Sequence, residues 1–168
     1  VSGAGAKGID ELTRLTRAAL EGAEEQPEAF DHSIAFNLFS HDSAIGEDGY
    51  NVEERKLLLE SRKILGVPDL AISATCIRVP VYRAHSEAIH AEFARPVDPD
   101  AAREVLSSAA GLRIVDDREG NHFPMPLEAS GRDEVLVGRL REDASRPGSI
   151  AFFVAGDQIR KGAALNAV

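Results

Sequence analysis

The chain has 168 residues, 43% hydrophobic and 28% charged, with 19 Lys and Arg against 28 Asp and Glu and a formal net charge of -9. That is an ordinary globular composition, long enough for one domain with a real core, and its negative balance disfavours nucleic acid and anionic membrane surfaces as partners. No apolar run approaches the ~20 residues of a membrane span and no charged-then-apolar leader is present, while a single cysteine, Cys76, allows neither an internal disulfide nor a cysteine-based zinc site, which fits a cytoplasmic location.

In chain order, Val1 to Gly8 is small and glycine-rich, and Ile9, Leu12, Leu15, Ala19 and Leu20 then recur at helical spacing. A glycine run entering a helix can hold an anion on backbone N–H groups, but close helix packing explains it too and is favoured by spacing alone. Glu21 to Asp31, acidic and carrying Pro27, reads as a loop, and Ser33 to Phe39 as a short apolar strand. His41 to Asn51 leads as a loop into a helix from Val52 to Leu65. There Asn51 and Glu54 form a capping box, Gly66 is the stop and Pro68 lies beyond. Glu53 and Lys56 share one face of its first turn, where a solvated ion pair is the plain expectation, while Leu57, Leu58 and Ile64 supply apolar surface.

Asp69 to Val81 reads as a strand buried on both faces, with Ser86 to Phe93 as its antiparallel neighbour, Ile89, Ala91 and Phe93 on one side. Asp98 caps a helix with Pro99 at its first position and Val105, Leu106 and Ala109 facing the core, up to Gly111. Leu112 to Val115 is a strand, and Asp116 to Ser130 a long excursion of the kind that is functional or part of an interface. Glu134 to Arg141 and Ile150 to Val154 are further strands, and Asp157 caps a last helix. Val1 is not an initiating methionine, and Ala163 to Val168 reads as an apolar helix interrupted before a stop signal, so a fragment is expected. The order gives an α+β fold: a mixed, largely antiparallel sheet with helices on one face, in one layered domain over 1–168. No Gly-x-Gly-x-x-Gly follows a first strand, so no nucleotide-binding half is expected.

One residue breaks the pattern. Arg78 stands in the middle of an apolar β-branched run with no acid in the eight positions before it, and a buried guanidinium needs an anion. Its partner is therefore distant in sequence or a ligand. Seven residues on, past Pro80, comes His85, whose imidazole can take and give a proton near neutrality. Cys76 lies too far along an extended strand to pair with His85, and reads as a small core residue. His32, His41, His90 and His122 are scattered without metal-ligand spacing and read as surface or loop residues, so no metal is expected.

The segment from Cys76 to Glu87, C-I-R-V-P-V-Y-R-A-H-S-E, resembles the signature of aspartate-semialdehyde dehydrogenases, in which an arginine and, seven residues later, a histidine before serine line the active site. S-G-A-G at 2–5, E-E-R-K at 53–56, E-S-R-K-I-L-G at 60–66, P-M-P at 124–126, D-E-V-L-V-G-R-L-R at 133–141 and G-D-Q-I-R-K-G-A-A-L-N at 156–166 agree in the same order. The likeness covers essentially the whole chain and corresponds to the part of the family that follows its catalytic cysteine.

This resemblance implies a C-terminal domain of the glyceraldehyde-3-phosphate-dehydrogenase-like type, self-associating as a homodimer through its sheet. The implied activity is the NADPH-dependent conversion of β-aspartyl phosphate to aspartate semialdehyde, on the route to lysine, threonine and methionine. NADP would be bound mainly by the absent domain, with none expected in this chain, which would be inactive alone. Residue by residue, the resemblance assigns Arg78 to the substrate α-carboxylate, Glu53 to its ammonium, Lys56 to its phosphate, and His85 to acid–base catalysis around a thioacyl intermediate on the absent cysteine. It also sets Gln158 near the nicotinamide and Gly3 in the glycine run bordering the active site. Gln158 stands where many relatives carry asparagine, and S-H-D at 40–42 where many read I-P-H; the latter departure receives no role. The alternatives are a non-catalytic dimerisation module and the related N-acetyl-glutamyl-phosphate reductase, in whose site an acid at Glu53 would be unwelcome.

Overall fold

The computed structural model of the chain describes residues 1–161. The apolar helix expected at 163–168, and the body of the helix expected after Asp157, lie outside the described residues. The chain divides into two compact units, Val1–Tyr82 and the residues from Arg83 onward.

In the first unit a 3-10 turn, Ser2–Ala4, leads into α1, Gly5–Glu21. Its apolar stripe buries Leu12 and Leu15 against Phe30 and Ile34. Packing accounts for Gly8, because a Cβ there would stand 2.9 Å from each of Ala4 Cβ, Phe30 Cζ and Val1 O. The acidic loop after α1 folds back onto Glu11, which is buried and whose Oε2 accepts from the backbone N–H of Glu28 at 2.6 Å and Ala29 at 2.5 Å.

Three further elements complete this unit: β1, Phe39–Ser40; α2, Val52–Leu65; and β2, Ile77–Arg78. Helix α2 starts and stops as its sequence dictates. Asn51 Oδ1 accepts from Glu54 N and Glu54 Oε2 from Asn51 N, both at 2.9 Å, and Gly66 closes the helix at φ 66°. The two expected strands are much shorter than predicted. Within 33–39 only Phe39 enters a ladder, and within 69–81 only Ile77 and Arg78, paired antiparallel as Phe39 with Arg78 and Ser40 with Ile77. From 71 to 78 residues alternate between half-buried and exposed, so the segment is not covered on both faces. Part of the reason is that a side chain replaces a neighbouring strand: Cys76 N donates to Glu54 Oε1 at 2.8 Å.

The second unit contains β3, His85–Ala91; α3, Pro99–Ser108; β4, Leu112–Ile114; α4, Pro126–Ala129; β5, Val135–Glu142; and β6, Ile150–Gly156. They build a four-stranded mixed sheet in the order β3-β6-β5-β4, antiparallel except for the β4–β5 pair. The strand expected as partner of 69–81 therefore pairs with β6 instead, His85 opposite Gly156 and Ala91 opposite Ile150. β6 is apolar on successive residues, and such a strand belongs inside a sheet with neighbours on both edges.

Asp98 caps α3 through Oδ1, which accepts from Asp100 N and Ala101 N at 3.0 Å. Ala102 and Leu106 of α3 pack on Val137, Leu140 and Ile150, whereas Val105, expected to face the core, is 67% exposed. On the other side of the sheet Ala129 of α4 meets Leu136 and Ala155. Gly138 has no room for a side chain, since a Cβ would lie 2.0 Å from Val115 O. A bulge follows, with Arg139 at φ 57° and its N–H bonded to Asp116 Oδ1 at 2.8 Å. Asp116 Oδ2 in turn holds Arg103 of α3 at 2.6 Å.

Asp157 sits at the end of β6 with no exposed surface. Its Oδ2 accepts from Gly131 N at 2.6 Å and pairs with Arg83 Nε at 2.7 Å, and its Oδ1 accepts from Ile159 N at 3.0 Å and Arg160 N at 3.3 Å. Burial raises its pKa, but these donors outweigh burial and hold the carboxyl below its usual range. Asp157→Ala strands a half-buried cation and three backbone donors. We expect a loss of about 2 kcal/mol in urea unfolding, at the low end for a broken pair because Arg83 keeps contact with water.

Asp143 accepts from Ser145 N and Oγ and lies 2.6 Å from His90 Nδ1, interactions led by the His90 bond that lower its pKa from 3.8 to about 2. Because the folded state binds this proton less tightly than the unfolded chain, the stabilisation is complete above pH 3.8 and fades as pH falls toward about 2. Asp143→Asn is therefore expected to flatten the acid limb of a melting-temperature profile within that window.

Candidate functional site

In the first unit, the loop after β1, the first turn of α2 and strand β2 bring five charged or titratable side chains into one electrostatic neighbourhood. Arg78, on β2, is withdrawn to 14% side-chain exposure and its anion is Asp42, 36 residues earlier and 18% exposed. Both Arg78 Nε, at 3.0 Å, and Nη2, at 2.7 Å, donate to the one oxygen Asp42 Oδ1. The Phe30 ring lies under the guanidinium with its centroid 5.3 Å from Cζ. Nη1 points to Gly3, where a Cβ would come to 3.5 Å.

The Asp42 carboxyl is pushed up by burial, yet the Arg78 hydrogen bond and charge more than compensate and keep it below its ordinary value. Beside it His41 has Nδ1 3.1 Å from Ser43 Oγ and 3.6 Å from Asp42 Oδ1. Burial, then the Arg78 charge, lowers the His41 pKa, against the pull of Asp42 and Glu53. Glu53 and Lys56 form the expected ion pair, Lys56 Nζ 3.2 Å from both carboxylate oxygens, and both remain substantially exposed. The Glu53 and Lys56 charges both act on His41, so His41 marks the middle of the group. The neighbourhood thus holds two cations, each paired with a carboxylate, and an imidazole whose pKa is lowered.

In the second unit His85 is the first residue of β3 and its side chain is exposed. The backbone immediately before it is unusual: Ala84 has φ 79°, a left-handed conformation that costs a residue with a Cβ. It is held there from both sides. Gln158 Oε1 accepts from Ala84 N at 3.1 Å, Ser130 Oγ donates to Arg83 O at 3.2 Å, and Asp157 grips the Arg83 guanidinium. Gln158, assigned by resemblance to the nicotinamide, is in this structure a brace for the segment that carries His85.

Arg78, Glu53, Lys56 and Gly3 accordingly gather in the first unit, while His85 and Gln158 gather in the second. The sequence reading set His41 aside as a surface or loop residue and gave Asp42 no role, although both stand at the centre of the first group. The signal was present in the S-H-D departure at 40–42. Nothing in local spacing could join it to an arginine 36 positions later. Arg83 and Asp157 went unnoticed as a pair for the same reason.

A match to the family described as "Semialdehyde dehydrogenase, dimerisation domain" spans residues 1–161. Proteins named aspartate-semialdehyde dehydrogenase from Synechocystis and Prochlorococcus marinus are 49% and 48% identical over 167 residues, covering 99% of this chain and 49% of each relative. The crystal structure of aspartate semialdehyde dehydrogenase II from Vibrio cholerae complexed with ASA superposes with a TM-score of 0.93 at 38% identity, over 99% of this chain and 49% of that one. The chain spans about half the length of the curated relatives it matches. With the arginine, the histidine seven residues on and the glutamate–lysine helix turn all present, this chain belongs to the semialdehyde dehydrogenase dimerisation-domain family.

Proposed function

We propose that this chain is the substrate-binding and dimerisation part of an NADP-dependent aspartate-semialdehyde dehydrogenase, acting on β-aspartyl phosphate and aspartate semialdehyde and inactive by itself. The observation that carries the reading is Arg78: a guanidinium held in a fixed plane in a half-buried strand, surrounded by the other charges that this substrate class requires.

The roles are those that the resemblance assigns, and charge and shape support them. Arg78 takes the α-carboxylate by parallel hydrogen bonds, which sets the reacting carbon in one place. Glu53 takes the α-ammonium. Lys56, a compact cation on a flexible stem, neutralises the phosphate as it arrives or leaves. His85, exposed at the start of β3, takes or gives the proton. NADP, when bound, accepts or supplies hydride. Of this chain's residues Gln158, which the resemblance sets near the nicotinamide, is the one whose side-chain amide suits a carboxamide. The nucleophile and most of the cofactor site are supplied by the other half of the enzyme.

Self-association through the sheet fits the family's description as a dimerisation domain. The single chain also exposes apolar side chains, among them Leu59 at 62%, Ile64 at 80% and Leu65 at 63% on α2, which suit coverage by a second copy. Among the described residues no helix is long and apolar enough to cross a membrane.

The test is reconstitution. Joining this chain to the nucleotide-binding half of the Synechocystis relative should yield phosphate-dependent NADPH formation from aspartate semialdehyde, while the 168-residue chain alone yields none. In that enzyme His85→Ala is expected to lower kcat by about 10²-fold or more, and Arg78→Lys to raise KM by about tenfold, since an ammonium cannot reproduce the fork. A chimera that dimerises and binds NADP but turns over nothing would overturn the enzymatic reading in favour of a dimerisation module.

A further inference from the structure

The loop departure at S-H-D, 40–42, is the feature that the reading above leaves unused, and it lies against the residue on which that reading depends. A guanidinium has five N–H donors in one plane: one on Nε and two on each terminal nitrogen. Asp42 Oδ1 accepts from Nε and from Nη2, which commits one edge of the plane. Phe30 supports a face at 5.3 Å. The remaining donors are the two on Nη1 and the second on Nη2, and among the described residues no hydrogen bond reaches Nη1. The N–H groups of Nη1 and Nη2 that point away from Cζ run parallel, which is the spacing of the two oxygens of a carboxylate.

Resting on the function proposed above, we propose that Asp42 is a positioning residue: it clamps the Nε edge of Arg78, so that the end-on fork of Nη1 and Nη2 is presented to the substrate α-carboxylate. The contact is side-on to one oxygen and leaves the outer edge uncovered, so Asp42 does not stand where the substrate would. Gly3 belongs to the same surroundings, because a Cβ there would stand 3.5 Å from Nη1.

The experiment uses the reconstituted enzyme with Asp42→Ala, Asp42→Asn and Arg78→Lys. Asp42→Ala is expected to raise KM for aspartate semialdehyde about tenfold with kcat within about twofold, the loss of the two-bond clamp on Arg78 expressed in binding. Asp42→Asn keeps an oxygen that accepts from Nε and Nη2, and should restore KM to within about threefold of the parent. A ¹⁵N spectrum supplies a readout that mere folding would not move: the protected Nε–H signal of Arg78 persists in the Asn variant and is lost in the Ala variant. An unchanged KM in Asp42→Ala overturns the positioning role, and a lowered one identifies Asp42 as a competitor of the substrate. Arg78→Lys keeps the two proposals apart: if it too leaves KM unchanged, the substrate assignment itself fails, whereas a raised KM beside a silent Asp42→Ala sinks only the inference about Asp42.

Discussion

The organising constraint in this protein is that a carboxylate withdrawn from water draws backbone donors to it, and in folding to provide them the chain ties down its loops. Glu11 recruits the backbone of Glu28 and Ala29, Glu54 that of Asn51 and Cys76, Asp116 that of Arg139, and Asp157 that of Gly131, Ile159 and Arg160. Each carboxylate has room for about four hydrogen bonds, and each unmade bond in a buried site is costly, so these acids act as local templates for irregular backbone. An acidic composition that looks from outside like a solvated surface is in part an internal scaffold.

That scaffold carries the candidate site. The segment before β2 is held by Glu54 and ends at Arg78, which finds Asp42; the segment before β3 is held by Asp157 and Gln158 and ends at His85. In both units a side chain proposed to meet substrate follows a stretch whose backbone is pinned by another side chain. This is how loops achieve the precision that binding and proton transfer demand without the regularity of a helix or a long strand. The positive φ at Ala84 shows the same economy: a conformation that a residue with a Cβ avoids is tolerated because neighbours on both sides over-determine it.

The balance between site and interface also becomes intelligible. The first unit has one apolar cluster around α1 and a second helix, α2, with much of its apolar surface outside. The sheet of the second unit is covered by α3 on one side, and among the described residues Ala129 of the four-residue α4, with Ala84 and Val115, packs near Leu136 on the other. A family described as a dimerisation domain is one in which such surfaces have a destination.

Much of the local architecture was legible from residue order. The caps of α2 and α3, the glycine that closes α2, the strands β4, β5 and β6 and the mixed sheet follow from periodicity and capping chemistry, which act within a few residues. The sequence also flagged Arg78 as a cation whose partner is distant in the chain or a ligand, and the motif around it as that of a known family. What it could not decide was which distant group answers which. That β3 joins β6 rather than the segment before it, that 69–81 is mostly extended chain rather than a strand, and that Asp42 meets Arg78 across 36 residues are outcomes of packing. The physical reason is one of range: propensity and caps are settled by neighbours in the chain, whereas a buried charge is satisfied by neighbours in space, and only the tertiary fold brings those together.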